Sequence, residues 1–170
     1  MMSFWTFSDV FEENGPIPEP FQGHFGLRAK GGINKPSYYA FGLLHRLGDR
    51  RFANAAPNVL VTKRKDGALV VAVWNLVDPD QSPNRKMVRL VFDGLPNGAG
   101  VEVSRVDAEN GNTLAAYRAM GSPRYPTEQQ INELNAVTQI TASGHHLDSN
   151  HLDLSLQGNA LVLIEALAGS

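Results

Sequence analysis

Adjacent carboxylates at Glu12 and Glu13 close an aromatic run, Phe4-Trp5-Thr6-Phe7-Ser8-Asp9-Val10-Phe11, that has little polar relief. Bulky β-formers leading without a turn into acidic groups are the layout of a barrel strand that ends at a sugar site. Paired carboxyls invite glycosidic bond cleavage: a retaining site needs them about 5 to 5.5 Å apart, an inverting one about 6.5 to 9.5 Å. Extended backbone points successive side chains to opposite faces, so Glu12 and Glu13 diverge. Asp9 and Glu13 share a face, but four residues at about 3.3 Å each hold them roughly 13 Å apart. Neither pair meets either spacing. Asp9 sits inside an otherwise apolar strand, where burial demands a partner, so a structural hydrogen bond is expected there in preference to a ligand contact.

A second chemistry-bearing cluster is His145-His146-Leu147-Asp148-Ser149-Asn150-His151-Leu152-Asp153, with three histidines and two aspartates. The spacing fits no zinc pattern, and a polar loop ahead of the late strands accounts for the composition. No metal and no cofactor is expected. Trp74 lies in the apolar segment Val70-Val71-Ala72-Val73-Trp74-Asn75 and reads as sandwich core, since no strand repeats aromatics on its polar face as a sugar-stacking platform would.

The elements that must carry these residues follow from periodicity and turn signals. Residues 1 to about 13 read as a strand apolar on both faces, and residues 14 to 35 as a Gly/Pro-rich loop too long for a simple connector. Pro36 opens a helix that runs to Leu47, with Gly48 as its stop. From about residue 57 the pattern turns to short alternating strands, Val59 to Lys63, Leu69 to Asn75, Lys86 to Phe92, Gly100 to Val106, His151 to Leu156 and Ala160 to Leu167. Asp66-Gly67, Asp93-Gly94 and Asn110-Gly111 punctuate them, which points to an antiparallel sandwich. One helix interrupts it at 126–137, with Ile131, Leu134 and Val137 on one face. The reading is mainly β, one βα unit over residues 1–50 and a β-sandwich over 51–170, with the boundary between Gly48 and Asn58.

Bulk properties remove several function classes. The 170 residues are 42% hydrophobic, enough for a buried core, and carry a formal charge of -2 with a pI near 6.2. No basic run exceeds Lys63-Arg64-Lys65, so no nucleic acid partner is expected. Without cysteine there is no disulfide, thiolate zinc site or cysteine nucleophile. No signal peptide and no apolar run of spanning length is seen, so the expectation is a soluble chain, away from membranes and cytoplasmic by default.

Three segments, Phe4 to Glu13, Pro20-Phe21-Gln22-Gly23-His24-Phe25-Gly26-Leu27 and Gly32-Ile33-Asn34-Lys35-Pro36-Ser37-Tyr38-Tyr39-Ala40-Phe41, resemble in order and spacing the glycoside hydrolase family 39 β-xylosidases. The remainder is similar to that family's C-terminal sandwich, including Val106-Asp107-Ala108-Glu109-Asn110-Gly111-Asn112 and Met120-Gly121-Ser122-Pro123-Arg124-Tyr125. The resemblance implies the eighth strand, following loop and eighth helix of a (β/α)8 barrel, plus the accessory sandwich. Such enzymes retain configuration and use two glutamates after the fourth and seventh barrel strands. Both positions would precede Met1, so the resemblance implies no catalytic residue here and no activity of this chain alone. It does imply substrate contacts: Glu12 or Glu13 accepting from sugar hydroxyls, and Trp5 offering a flat apolar face, with barrel core as its other reading. Phe21, His24 and Phe25 either wall the cleft or anchor the loop.

The implied partner is a xyloside or xylo-oligosaccharide bound once the barrel is completed. An isolated βα unit would expose its strand and the helix face of Tyr38, Phe41 and Leu44, so a homo-oligomer, docking on the chain's own sandwich or disorder of the first 50 residues is expected. The competing reading is a free-standing carbohydrate-binding or assembly module.

Overall fold

β-Branched segments separated by left-handed glycines set the architecture, since Gly67, Gly94 and Gly111 all take positive φ at the turns where Asp-Gly and Asn-Gly pairs stand. A computed structural model of the chain describes residues 4, 6–9, 11, 12, 15–22, 25–54, 56–78, 80–82 and 84–166, with the backbone alone for residues 11, 12 and 16. In chain order its elements are β1 (Phe11–Glu12), β2 (Gly15–Pro16), β3 (Arg28–Ala29), β4 (Ile33–Asn34) and α1 (Pro36–Leu44). Then come β5 (Arg50–Phe52), β6 (Val59–Lys63), β7 (Leu69–Asn75), β8 (Lys86–Val91) and β9 (Gly100–Val106). Last are α2 (Thr113–Ala119), α3 (Glu128–Val137), β10 (Ser143–His146), β11 (His151–Leu156) and β12 (Ala160–Ala166). The expected mainly antiparallel β architecture is what is found.

Two compact units divide the chain: Met1–Phe41 with Glu109–Gln139, and Gly42–Ala108 with Ile140–Ser170. This partition differs from a boundary between Gly48 and Asn58. The segment carrying α2 and α3 packs with the N-terminal residues because Leu134 and Tyr117 bury against Ala29 and Ile33, a contact that no local pattern encodes.

The second unit holds a six-stranded antiparallel sheet in the order β10-β9-β12-β7-β6-β5, and a two-stranded sheet, β11-β8, packs on it. Val71 and Val73 of β7, Val101 and Val103 of β9, and Val162 and Ile164 of β12 face Leu152, Leu154 and Leu156 of β11. Alternation along each strand sends these residues to one side. Trp74, expected in this core, shares the opposite face with Val70 and Ala72 and is half-buried. On that face Glu165, 4% exposed, takes bonds from Arg46 and from Arg64 (2.7 Å), while Arg46 also donates to Ser104 Oγ at 3.1 Å.

Gly48 serves close approach and is not the helix stop. A Cβ there would stand 2.2 Å from the backbone of Lys63, and its N–H donates to Thr62 Oγ1 at 2.9 Å. α1 stops earlier, at Leu44, where the last bonds tighten to the three-residue spacing, Arg46 to Leu43 and Leu47 to Leu44.

The first unit is built differently. The expected continuous strand over 1–13 is two short pieces among the described residues: Ser8 bridges Arg28 in parallel, and β1 pairs with β2. A strand exists only where backbone is offered to it, and Leu27 and Arg28 offer two rungs to Thr6 and Phe7. The expected loop over 14–35 carries β2 and the β3-β4 hairpin, which turns through Gly31 and Gly32 at φ 87° and 88°. α3 begins where its signals put it, with Thr127 and Gln130 forming a capping box. Its expected apolar face is only partly buried: Leu134 is fully buried, Ile131 half, and Val137 is 66% exposed. Within this unit α1 buries Tyr39, leaving Tyr38 exposed and Phe41 half-buried; its last turn, with Leu43 buried and Leu44 half-buried, belongs to the second unit.

Candidate functional site

Of the residues expected to meet substrate, Trp5, Glu13 and His24 lie outside the described residues. Glu12 is described through its backbone, paired with Gly15 in the β1-β2 ladder. Two residues ahead of β1 lies a polar knot. Asp9, 2% exposed, accepts from the Gly26 N–H at 2.6 Å through Oδ1 and meets Lys35 Nζ at 2.6 Å through Oδ2. Its own N–H donates to Arg28 O at 2.9 Å, and Lys35 N–H to Leu27 O at 3.0 Å. Asp9 thus ties residues 6–9 to the hairpin, the structural bond its burial required. Only glycine fits at position 26, because a Cβ would stand 2.4 Å from Asp9 N and Oδ1.

The loop after β2 is held from three sides. Ile17 is 2% exposed, Lys30 Nζ donates to Ile17 O at 2.7 Å, and the Phe21 ring packs on Tyr117 with centroids 5.0 Å apart. Phe21 takes φ 59°, a left-handed conformation uncommon outside glycine. Across from it, α2 ends in a Schellman motif, with Ser122 N–H donating to Tyr117 O and Gly121 N–H to Arg118 O, both at 3.0 Å. Gly121 and Ser122 both take positive φ, 92° and 51°. Between loop and helix end lies an open cavity of about 420 Å³ lined by Glu19, Phe21, Gln22, Tyr117, Arg118 and Ser122. Burial raises the Tyr117 pKa and the Glu19 carboxylate adds to it, while the Tyr117 hydroxyl donates to Pro123 O at 2.9 Å.

The histidine-rich segment does not converge. His145 bonds Ser143 Oγ at 3.0 Å, His146 bonds Gly98 O at 3.1 Å, and His151 sits 3.8 Å from Asp153. Among the described residues no group of three His, Cys, Asp or Glu side chains is placed to hold a metal ion. No helix among them is long and apolar enough to cross a membrane.

Sequence reasoning singled out Phe21 but not Glu19, Gln22, Arg118 or Ser122, and assigned no element to the helix that carries Arg118. The available signal was Asn112 after Asn110-Gly111: its Oδ1 caps α2 by accepting from Ala115 N–H at 3.1 Å.

The family model described as glycosyl hydrolases family 39 matches residues 1–146. The chain belongs to that family. A β-xylosidase of Geobacillus stearothermophilus is 33% identical over 166 residues, covering 96% of this chain and 33% of the relative. A β-xylosidase of Caldicellulosiruptor saccharolyticus is 34% identical over 143 residues, 81% of this chain and 29% of its own. Among solved structures, a monomeric β-xylosidase from Caulobacter crescentus CB15 superposes with a TM-score of 0.82 at 29% identity, covering 99% of this chain and 38% of that one. This family 39 chain therefore spans about a third of the length of the curated relatives it matches.

Proposed function

We propose that this chain forms the C-terminal part of a retaining β-xylosidase that hydrolyses β-1,4-xylosides, and that it is inactive alone because both catalytic glutamates lie on other segments. The observation that carries this reading is the family match across residues 1–146, together with the β-xylosidase relatives of which it spans about a third. In the completed site one of Glu12 and Glu13 accepts from sugar hydroxyls and Trp5 stacks on the ring, while His24 lines the approach and Phe21, packed on Tyr117, anchors the loop. The Asp9–Lys35 ion pair holds the backbone two residues ahead of β1 in place.

Joining this chain to the N-terminal two thirds of a family 39 β-xylosidase should restore turnover of an aryl β-xyloside, with KM raised by Glu12→Gln or Glu13→Gln. Turnover by the 170-residue chain alone, abolished by either substitution, would refute the claimed inactivity. A second reading, an assembly or carbohydrate-binding module that pairs with its own copy, is favoured by the exposure of Phe4, Phe7, Phe25 and Tyr38 in the first unit (46%, 59%, 62% and 36%). A chimaera inert on xylosides, with a dimeric free chain by light scattering, would favour this second reading.

A further inference from the structure

The geometry points to a second carbohydrate site in the first unit, the groove between residues 19–22 and the end of α2, separate from the strand end at Glu12. Its volume of about 420 Å³ falls within the range of small-ligand pockets. Its walls combine an aromatic pair, Phe21 on Tyr117, with a carboxylate, an amide, a guanidinium and a hydroxyl from Glu19, Gln22, Arg118 and Ser122. Glu19 and Arg118 bring opposite charges to one cavity, which favours a neutral, polyhydroxylated ligand over an anion or a cation. Gln22 Nε2 donates to Glu19 Oε1, which orients both side chains and leaves the carboxylate further lone pairs for ligand hydroxyls.

Backbone conformation supplies an independent observation. Phe21 and Ser122, both non-glycine residues in the left-handed region, stand on the two sides of the groove. Such conformations cluster at ligand clamps, where surrounding structure holds them in place. Here the Phe21–Tyr117 contact and the Schellman motif do so.

Xylo-oligosaccharide is the matching probe, a choice that rests on the family reading, whereas the groove itself does not. Calorimetric titration of the 170-residue chain with xylotriose should give heat at millimolar sugar. Arg118→Ala and Gln22→Ala, both at exposed positions, should each weaken binding about tenfold while circular dichroism stays unchanged. Absence of heat with xylobiose and xylotriose would overturn the inference. So would binding that survives both substitutions, or that Glu12→Gln abolishes while Arg118→Ala leaves it intact, since that pattern places the sugar at the strand end. The family reading is judged by the chimaera's turnover, so either failure is recognisable by itself.

Discussion

The two units satisfy their backbones by different means. In the second, β12 lies between β7 and β9 with seven paired residues on one side and five on the other, over a core of valine, leucine and isoleucine. In the first, two-residue ladders are supplemented by side chains that bond backbone: Asp9 to Gly26, Lys30 to Ile17, and Asn135, which accepts from Asn34 N–H at 2.8 Å and donates to Gly32 O at 3.1 Å. Repetition of backbone ladders and apolar contacts stabilises the sandwich core. Individual bonds position the unit that carries the candidate sites, so single residues matter more to its geometry.

The largest test of that contrast is Ile164→Ala. Ile164 is fully buried at the centre of the sandwich and pairs with Val71 and Val103. Truncation should cost about 4 kcal/mol, read as a lower urea midpoint at constant slope. Loss of amide protection should concentrate in β7, β9 and β12. A cost under about 1 kcal/mol would mean the sheet core is not what stabilises this unit.

Next in size is Asp9→Ala, which strands a buried Gly26 N–H and removes the ion pair to Lys35 and should cost about 3 kcal/mol. The contrast predicts where the loss appears. Hydrogen exchange should speed up at Leu27, Arg28 and Lys35, the amides bonded around Asp9, while protection in β7 and β12 holds. Equal acceleration in both units would show that they unfold as one body, and the distinction would fail.

The same contrast governs how much was legible in the sequence. Val59–Lys63, Leu69–Asn75, Gly100–Val106 and His151–Leu156 appear where alternation and Gly turns put them, because burial on a sheet face is written locally with period two. Arg50–Phe52 and Ser143–His146 were not legible: every residue in them is exposed, and each is a strand only because a neighbour, β6 or β9, offers its edge. The burial of Asp9 was inferred from its apolar setting, but its partners, 17 and 26 residues away, were not. Likewise Phe21 was picked out for its type, whereas Arg118 joins it only through tertiary packing of α2. The family, by contrast, was legible from three short segments, because their order and spacing are more specific than any one local preference.

The smallest test uses pH, and its sign differs between the units. On the sandwich, Arg89 donates to both oxygens of Asp153 at 2.7 Å, and this bond lowers the Asp153 pKa. A lowered carboxyl contributes stability above its unfolded value, about 3.9, and loses it as pH falls through the folded pKa. Tyr117 in the first unit goes the other way. Burial first, then Glu19, raises its pKa, so its contribution is complete below the unfolded value of about 10 and is lost as pH rises through the folded one. Acid should therefore loosen β8 and β11 before the groove, and alkali the groove before β8 and β11, with hydrogen exchange at the two pH extremes as the readout. Arg89→Ala should remove the acid effect and leave the alkaline one, because Arg89 and Tyr117 belong to different units. If that substitution shifted both limbs, the titrations would belong to one cooperative body, and the separate electrostatic control of the groove would be lost with it.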